Sequence, residues 1–218
     1  NSLKTDFGRK KVIVILGPRQ VGKTTLLEAL GTSDKKCLML NCDDIDDAML
    51  IENKTSTELK TLISSYDLVC IDEAQRVRNI GMTLKKIGDL KLDTQVIVTG
   101  SSSFDLSNDI NEPATGRLLE YQFFPLSMSE LAANSSAREQ QRLLGNRLVY
   151  GLYPEVVTLP SDAKRTLTTN VNNYLYKDIL SYKGIKKPEL LQKLVRALAL
   201  QLGSEVSYNE LGNLLGVD

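Results

Sequence analysis

The chain has 218 residues with 27 basic and 27 acidic side chains, so no net field draws it toward nucleic acid or a membrane surface. It contains no histidine, which excludes histidine bases, histidine metal sites and any Ser-His-Asp triad. Its apolar runs are strand-sized rather than membrane-spanning, no signal peptide opens it, and its three cysteines lack metal-type spacing, so a reduced, cytoplasmic setting is expected.

In chain order, Lys11–Leu16 reads as a buried strand. Gly17-Pro18-Arg19-Gln20-Val21-Gly22-Lys23-Thr24 follows and fits G-x-x-x-x-G-K-[ST] at every fixed position, with Thr25-Leu26-Leu27 opening a helix. Cys37–Asn41, Leu68–Asp72, Gln95–Thr99 and Leu118–Phe124 are the further strand candidates. Between them, Glu58-Leu59-Leu62-Ile63 and Met82-Leu84-Ile87-Leu90 carry helical spacing. Strand and helix in repeated alternation predict an α/β fold, a parallel sheet flanked by helices.

After about Ser127 the pattern becomes helical, with helices expected over Leu126–Ala133, Arg138–Tyr150, about Asp162–Tyr182 and Glu189–Leu202. On the third, Leu167, Val171, Leu175 and Ile179 share a face; the fourth is apolar on much of its circumference and is expected to be buried. Ser207 and Glu210 have the spacing of a capping box for a last helix, with Leu211, Leu214 and Leu215 facing inward and Gly216 ending it. The expected division is a nucleotide-binding core over 1–133, a helical segment over 134–186 and a further module opening at 187. Those leucines have few local partners, so the chain reads as truncated after residue 218 and its end as needing contacts from elsewhere.

The strand–loop–helix at Gly17–Thr25 turns successive backbone N–H groups toward one point beside a helix N-terminus, which is a triphosphate site. Lys23 is then the side-chain cation on the β- and γ-phosphates. In open α/β sheets ligands sit at the carboxyl ends of strands, where Asp72 and Glu73 emerge. Asp72 with the Thr24 hydroxyl is the expected Mg²⁺ pair, and Glu73 is placed to activate a water. Thr99, Ser101 and Ser102, at the end of the fourth strand, are candidate γ-phosphate sensors, with Ser101 preferred. The guanine-reading Asn-Lys-x-Asp is absent, since Asn53-Lys54 is followed by Thr55-Ser56, which favours ATP. Asp72-Glu73-Ala74-Gln75 also matches the box of DEAQ helicases, but those need two lobes and this length holds one.

Taken together, Gly17–Thr25, Ile71-Asp72-Glu73-Ala74-Gln75, Thr99-Gly100-Ser101-Ser102, Gly116-Arg117, Phe124-Pro125-Leu126-Ser127 with Glu130-Leu131, and Gly151-Leu152-Tyr153-Pro154-Glu155 resemble one family. It is the prokaryotic AAA-type ATPases with an uncharacterised C-terminal domain, the AAA_14/DUF4143 group. The resemblance implies an AAA-like core of the P-loop NTPase fold and Mg²⁺-dependent ATP hydrolysis. It also implies a winged-helix module opening near Leu190, of which residues 207–215 are the first helix of a helix-turn-helix. Arg117 then stands where such proteins place a charge-stabilising arginine, the alternative being a pairing with a local acid such as Glu112 or Glu120. Self-association and a DNA or protein partner for the C-terminal module are the partner expectations. The rival of another class is a nucleotide-gated switch with little turnover.

Overall fold

Val12–Leu16 (β1) is buried at every residue, which its five apolar side chains require once both faces of the sheet are covered. Val12, Val14 and Leu16 enter one core, with Val69, Ile71, Val96 and Val98; Ile13 and Ile15 enter the other, with Leu27, Cys70 and Ile97. The period of two along a strand sends neighbours to opposite faces, so one continuous run feeds two layers. The computed structural model describes residues 2–32, 35–101, 116–175 and 188–216.

Among the described residues, β1, Cys37–Asn41 (β2), Leu68–Asp72 (β3), Gln95–Gly100 (β4) and Leu118–Gln122 (β5) form one sheet in the order β2-β3-β4-β1-β5. Every pairing is parallel. The outer strands β2 and β5 are partly exposed, the inner three fully buried. The strand expectations hold to within two residues.

The helices of this region are Ser2–Thr5 (α1), Lys23–Gly31 (α2), Ile45–Ile51 (α3), Ser56–Ile63 (α4) and Ile80–Asp89 (α5). Helix α2 covers one face through Leu27. The other face is covered by Ala48 and Ile51 of α3, Leu59 and Ile63 of α4, and Ile80, Leu84 and Ile87 of α5. Each of α3 and α4 is capped: Asp44 accepts from the Asp46 N–H, and Thr55 and Glu58 bond reciprocally in a complete capping box. Met128–Ala132 (α6), Ala137–Tyr150 (α7) and Pro154–Thr158 (α8) follow β5. The Leu126 N–H donates to the Leu152 carbonyl at 3.0 Å, joining the segment before α6 to the one after α7.

The chain divides into two compact units, 1–158 and 159–218. The second contains Ala163–Asn170 (α9) running into a π-helical turn Val171–Leu175, then Pro188–Leu200 (α10) and Tyr208–Leu215 (α11). Residues 176–187, over which the third expected helix was to end, lie outside the described residues, as does Ile179. On α9 the buried side chains are Ala163 and Thr166, whereas Leu167 is half-buried. Helix α10 is not buried all round: Leu191 is, but Leu198 and Leu200 are 39% and 82% exposed, and Leu202, past its end, is 86% exposed. An apolar arc wider than one helix contact leaves its remainder in water. On α11 Leu211 is buried while Leu214 is 63% exposed, so the three leucines do not all face inward. The Ser207 side chain accepts from the Glu210 N–H at 3.4 Å, which is half of the expected capping box.

Candidate functional site

The loop after β1 is fixed on both sides by backbone. The Gly17 N–H donates to the Gly100 carbonyl of β4 at 3.3 Å, and the Phe123 N–H, just past β5, donates to the Leu16 carbonyl at 2.6 Å. A Cβ on Gly17 would stand 2.2 Å from the Phe123 carbonyl oxygen, so this position needs glycine for close approach. Gly22 needs it for conformation, at φ 97°, and Gln20 is also left-handed at φ 62°. Val21 is buried, Pro18 and Arg19 are half-buried, and Gln20 and Thr25 are exposed. No side-chain bond caps α2 at Gly22, and the N-terminus of a helix left so is the kind of place that receives an anion.

Lys23 is 5% exposed and folds back on the loop, its Nζ donating to the carbonyls of Gly17 at 3.0 Å and Pro18 at 2.8 Å. Burial lowers its pKa below the usual 10.5; the Glu73 and Asp72 carboxylates act against that, and Arg19 adds to it.

Because β4 lies between β1 and β3, the ends of all three strands meet at the loop. Asp72 closes β3 at 4% exposure, and both its oxygens are engaged. Oδ2 accepts from the Thr24 hydroxyl at 2.6 Å. Oδ1 accepts from the Thr99 hydroxyl and from the Glu73 N–H, the latter at 3.1 Å. Glu73 itself adopts a left-handed backbone, φ 51° and ψ 40°, which bends the chain over the sheet edge into a 3₁₀ turn, Ala74–Arg76. Its carboxylate accepts from the Gln75 side-chain amide. Ser101 is 7% exposed, and its N–H donates to Gln75 Oε1 at 3.3 Å.

Lys23, Thr24, Asp72, Glu73 and Ser101 are thus brought together. Ser102 lies outside the described residues. Thr99, ranked behind Ser101 from sequence, is bonded to the Asp72 carboxylate. Gln75 was not singled out as a site residue; its place two residues after Glu73 was the available signal. Cys42 ends beside this cluster, and burial, then the field of Asp47, Asp72, Asp43 and Glu73, pushes its thiol up to about 12.

The donor set suits Mg²⁺. Thr24 Oγ1 and Asp72 Oδ2 converge as hard oxygen donors, and among the described residues no group of three or more His, Cys, Asp or Glu side chains forms a dedicated metal cage. A cation completing its shell with phosphate oxygens and water needs no such cage.

Arg117 is not brought to this cluster. Its carbonyl accepts from the Val12 N–H at 3.1 Å, and Val12 pairs with Leu118, so it sits at the amino ends of β1 and β5. Five residue steps separate that level from Gly17, roughly 17 Å at strand rise. Its guanidinium pairs with Asp89 at the end of α5, and Glu112 lies outside the described residues.

A family model described as an AAA domain, AAA_14, matches residues 9–132, spanning both the loop and the acidic strand. The chain belongs to this AAA family. Residues 141–218 match a domain of unknown function, DUF8612, where the resemblance had suggested DUF4143. An uncharacterised protein of Haemophilus influenzae is 25% identical over 227 residues, covering 97% of this chain and 56% of that protein. An uncharacterised protein of Methanocaldococcus jannaschii is 23% identical, covering 94% of this chain and 50% of its own length. The chain thus spans about half the length of the curated relatives that it matches end to end. A crystal structure described as a DNA replication initiation factor aligns at a TM-score of 0.40 and 19% identity, covering 100% of this chain and 82% of that one. AAA membership, with the parallel sheet and loop described above, makes this a nucleotide-binding, ATPase-like protein with a P-loop NTPase fold. Among the described residues, no helix is long and apolar enough to cross a membrane.

Proposed function

We propose that the chain binds ATP with Mg²⁺ at the Gly17–Thr25 loop, hydrolyses it, and uses the nucleotide state to act on the C-terminal unit. The observation that carries this reading is the convergence of Thr24 on Asp72 beside a buried Lys23, with Glu73 next to it. The loop N–H groups and Lys23 hold the β- and γ-phosphates. Thr24 and Asp72 hold Mg²⁺, which when bound offsets phosphate charge. Glu73 takes the proton of the attacking water, and Ser101 contacts the γ-phosphate from the end of β4. Arg117, at the far end of the strands, reaches a γ-phosphate only on a neighbouring molecule. The C-terminal unit is the part that engages DNA or a protein partner.

The test is steady-state ATP turnover with and without Mg²⁺, beside Glu73→Gln. That substitution removes a base while keeping shape, so ATP binding persists and turnover falls about 10²-fold or more. Equal turnover in the two proteins rejects Glu73 as the base. ATP binding with negligible turnover in the unaltered chain favours the nucleotide-gated switch, in which occupancy alone is the signal.

A further inference from the structure

The 3₁₀ turn after Glu73 is anchored on three sides. Ala74 and Val77 are 0% and 3% exposed in the sheet core. The Arg76 guanidinium pairs with Asp43 Oδ1, past the end of β2, at 2.8 Å. Backbone bonds close it, from the Arg76 N–H to the Glu73 carbonyl and from the Val77 N–H to the Ala74 carbonyl, both at 3.0 Å. Gln75 is the residue of this mount whose side chain enters the site. One end of its amide does each job: Nε2 donates to the Glu73 carboxylate, and Oε1 accepts from the Ser101 N–H.

We infer that Gln75 is a positioning residue that sets where the Glu73 carboxylate sits and ties that position to the end of β4. The inference rests on the reading of Glu73 as the hydrolytic base. An amide is suited to the task because it presents a donor and an acceptor at fixed separation. The Glu73 carboxylate can only accept and the Ser101 N–H can only donate, so the side chain has one way to bridge the two. Glu73 is already held through its backbone, whose N–H meets Asp72 Oδ1 at 3.1 Å and Thr99 Oγ1 at 3.4 Å. What those bonds leave free is the side chain, and Gln75 takes up that freedom. A shift of Ser101 on contact with a γ-phosphate therefore reaches Glu73 through one amide, without movement of the mount. Misplacing a reacting group by about 1 Å can cost as much as 10²-fold in rate, which sets the scale of the effect.

Two variants separate the ends of the amide. Gln75→Glu keeps an oxygen for the Ser101 N–H and removes the donor to Glu73; Gln75→Met keeps the length and removes both. The expected result is that both lower kcat by about 10-fold or more. The Kd of a fluorescent ATP analogue and the thermal midpoint should stay close to those of the unaltered chain. In a Glu73→Gln background neither should lower kcat further, because residues acting as a unit are not additive. Gln75→Glu turning over normally while Gln75→Met does not would overturn the inference, leaving Gln75 as a support for Ser101 alone. Losses that multiply with Glu73→Gln would overturn it as well. If the unaltered chain and Glu73→Gln turn over alike, the reading of Glu73 falls and this one with it; if only the Gln75 variants behave normally, this one falls alone.

Discussion

Gly17→Ala tests whether β5 forms the wall of the phosphate loop. The added Cβ would be 2.2 Å from the Phe123 carbonyl oxygen, where ordinary contact begins near 3.4 Å, so about 1.2 Å of separation must be found. The obstructing atom is backbone and cannot rotate away. The segment that has to move carries the Phe123 N–H bond to Leu16, and the displaced loop carries the Gly17 N–H bond to Gly100. Losing two such bonds costs about 1 kcal/mol each, and forcing a methyl into a packed site adds about 1–3 kcal/mol. The reduced freedom of the unfolded chain returns about 0.4–1 kcal/mol. The net expectation is a loss of about 2–5 kcal/mol, together with most of the ATP affinity. Urea unfolding followed by far-UV circular dichroism measures it, as a lower midpoint at unchanged slope. Gly145→Ala is the control: it lies in α7, nothing stands within 4 Å of its added Cβ, and it should stabilise by about 0.5–1 kcal/mol. A Gly17→Ala protein within 0.5 kcal/mol of the unaltered chain, binding ATP normally, would refute the argument.

Other consequences are open to direct measurement. ATP binding should restore the proton affinity that burial takes from Lys23, so affinity should fall as pH rises toward the ordinary lysine range, with proton uptake on binding seen by calorimetry in buffers of different ionisation enthalpy; affinity that is flat across that range would reject this. Lys23→Ala should abolish most binding of a fluorescent ATP analogue while circular dichroism stays the same. Cys42 and Cys70, both pushed up to about 12 chiefly by burial, should resist alkylation in the native protein, leaving half-buried Cys37 as the site of any early labelling. Because these thiols keep their protons longer in the fold than in the unfolded chain, stability should fall between about pH 9 and 12, and a midpoint that rises there would contradict the assignment. Mixing Arg117→Ala with Glu73→Gln should restore part of the turnover if Arg117 acts on a neighbour, and specific activity should climb with protein concentration; two inactive proteins that stay inactive together would make it an anchor for Asp89.

The sheet and the loop were legible because the signals were local. A short, mostly apolar run bounded by polar and turn residues reads as a strand covered on both faces, and β1, β3 and β4 are so covered. The lysine, hydroxyl and two carboxylates came with their spacing. What escaped depends on contacts between distant segments. Nothing near Gly17 announces that Phe123 will press on it, and nothing near Arg117 points to Asp89, 28 residues earlier. The Thr99 hydroxyl meets the Asp72 carboxylate, a partner that alternation along the strand does not name. Helix α10 was misjudged for a related reason: apolar composition states what a surface would bury, not how much partner it finds. The complete capping boxes at Thr55–Glu58 and Ser127–Glu130 are as local in sequence as the half-formed one at Ser207.

The place of β4 between β1 and β3 has a consequence for how this protein can vary. Each inner strand is locked in register to two neighbours and buried on both faces, so sliding any of them by one residue would exchange its two sets of side chains between layers. Lys23, Asp72 and Ser101 therefore share one frame that cannot be retuned strand by strand. Substitutions are tolerated most freely where that frame does not reach. Those places include the partly exposed faces of β2 and β5, so a change there alters what surrounds the loop and leaves the frame itself untouched.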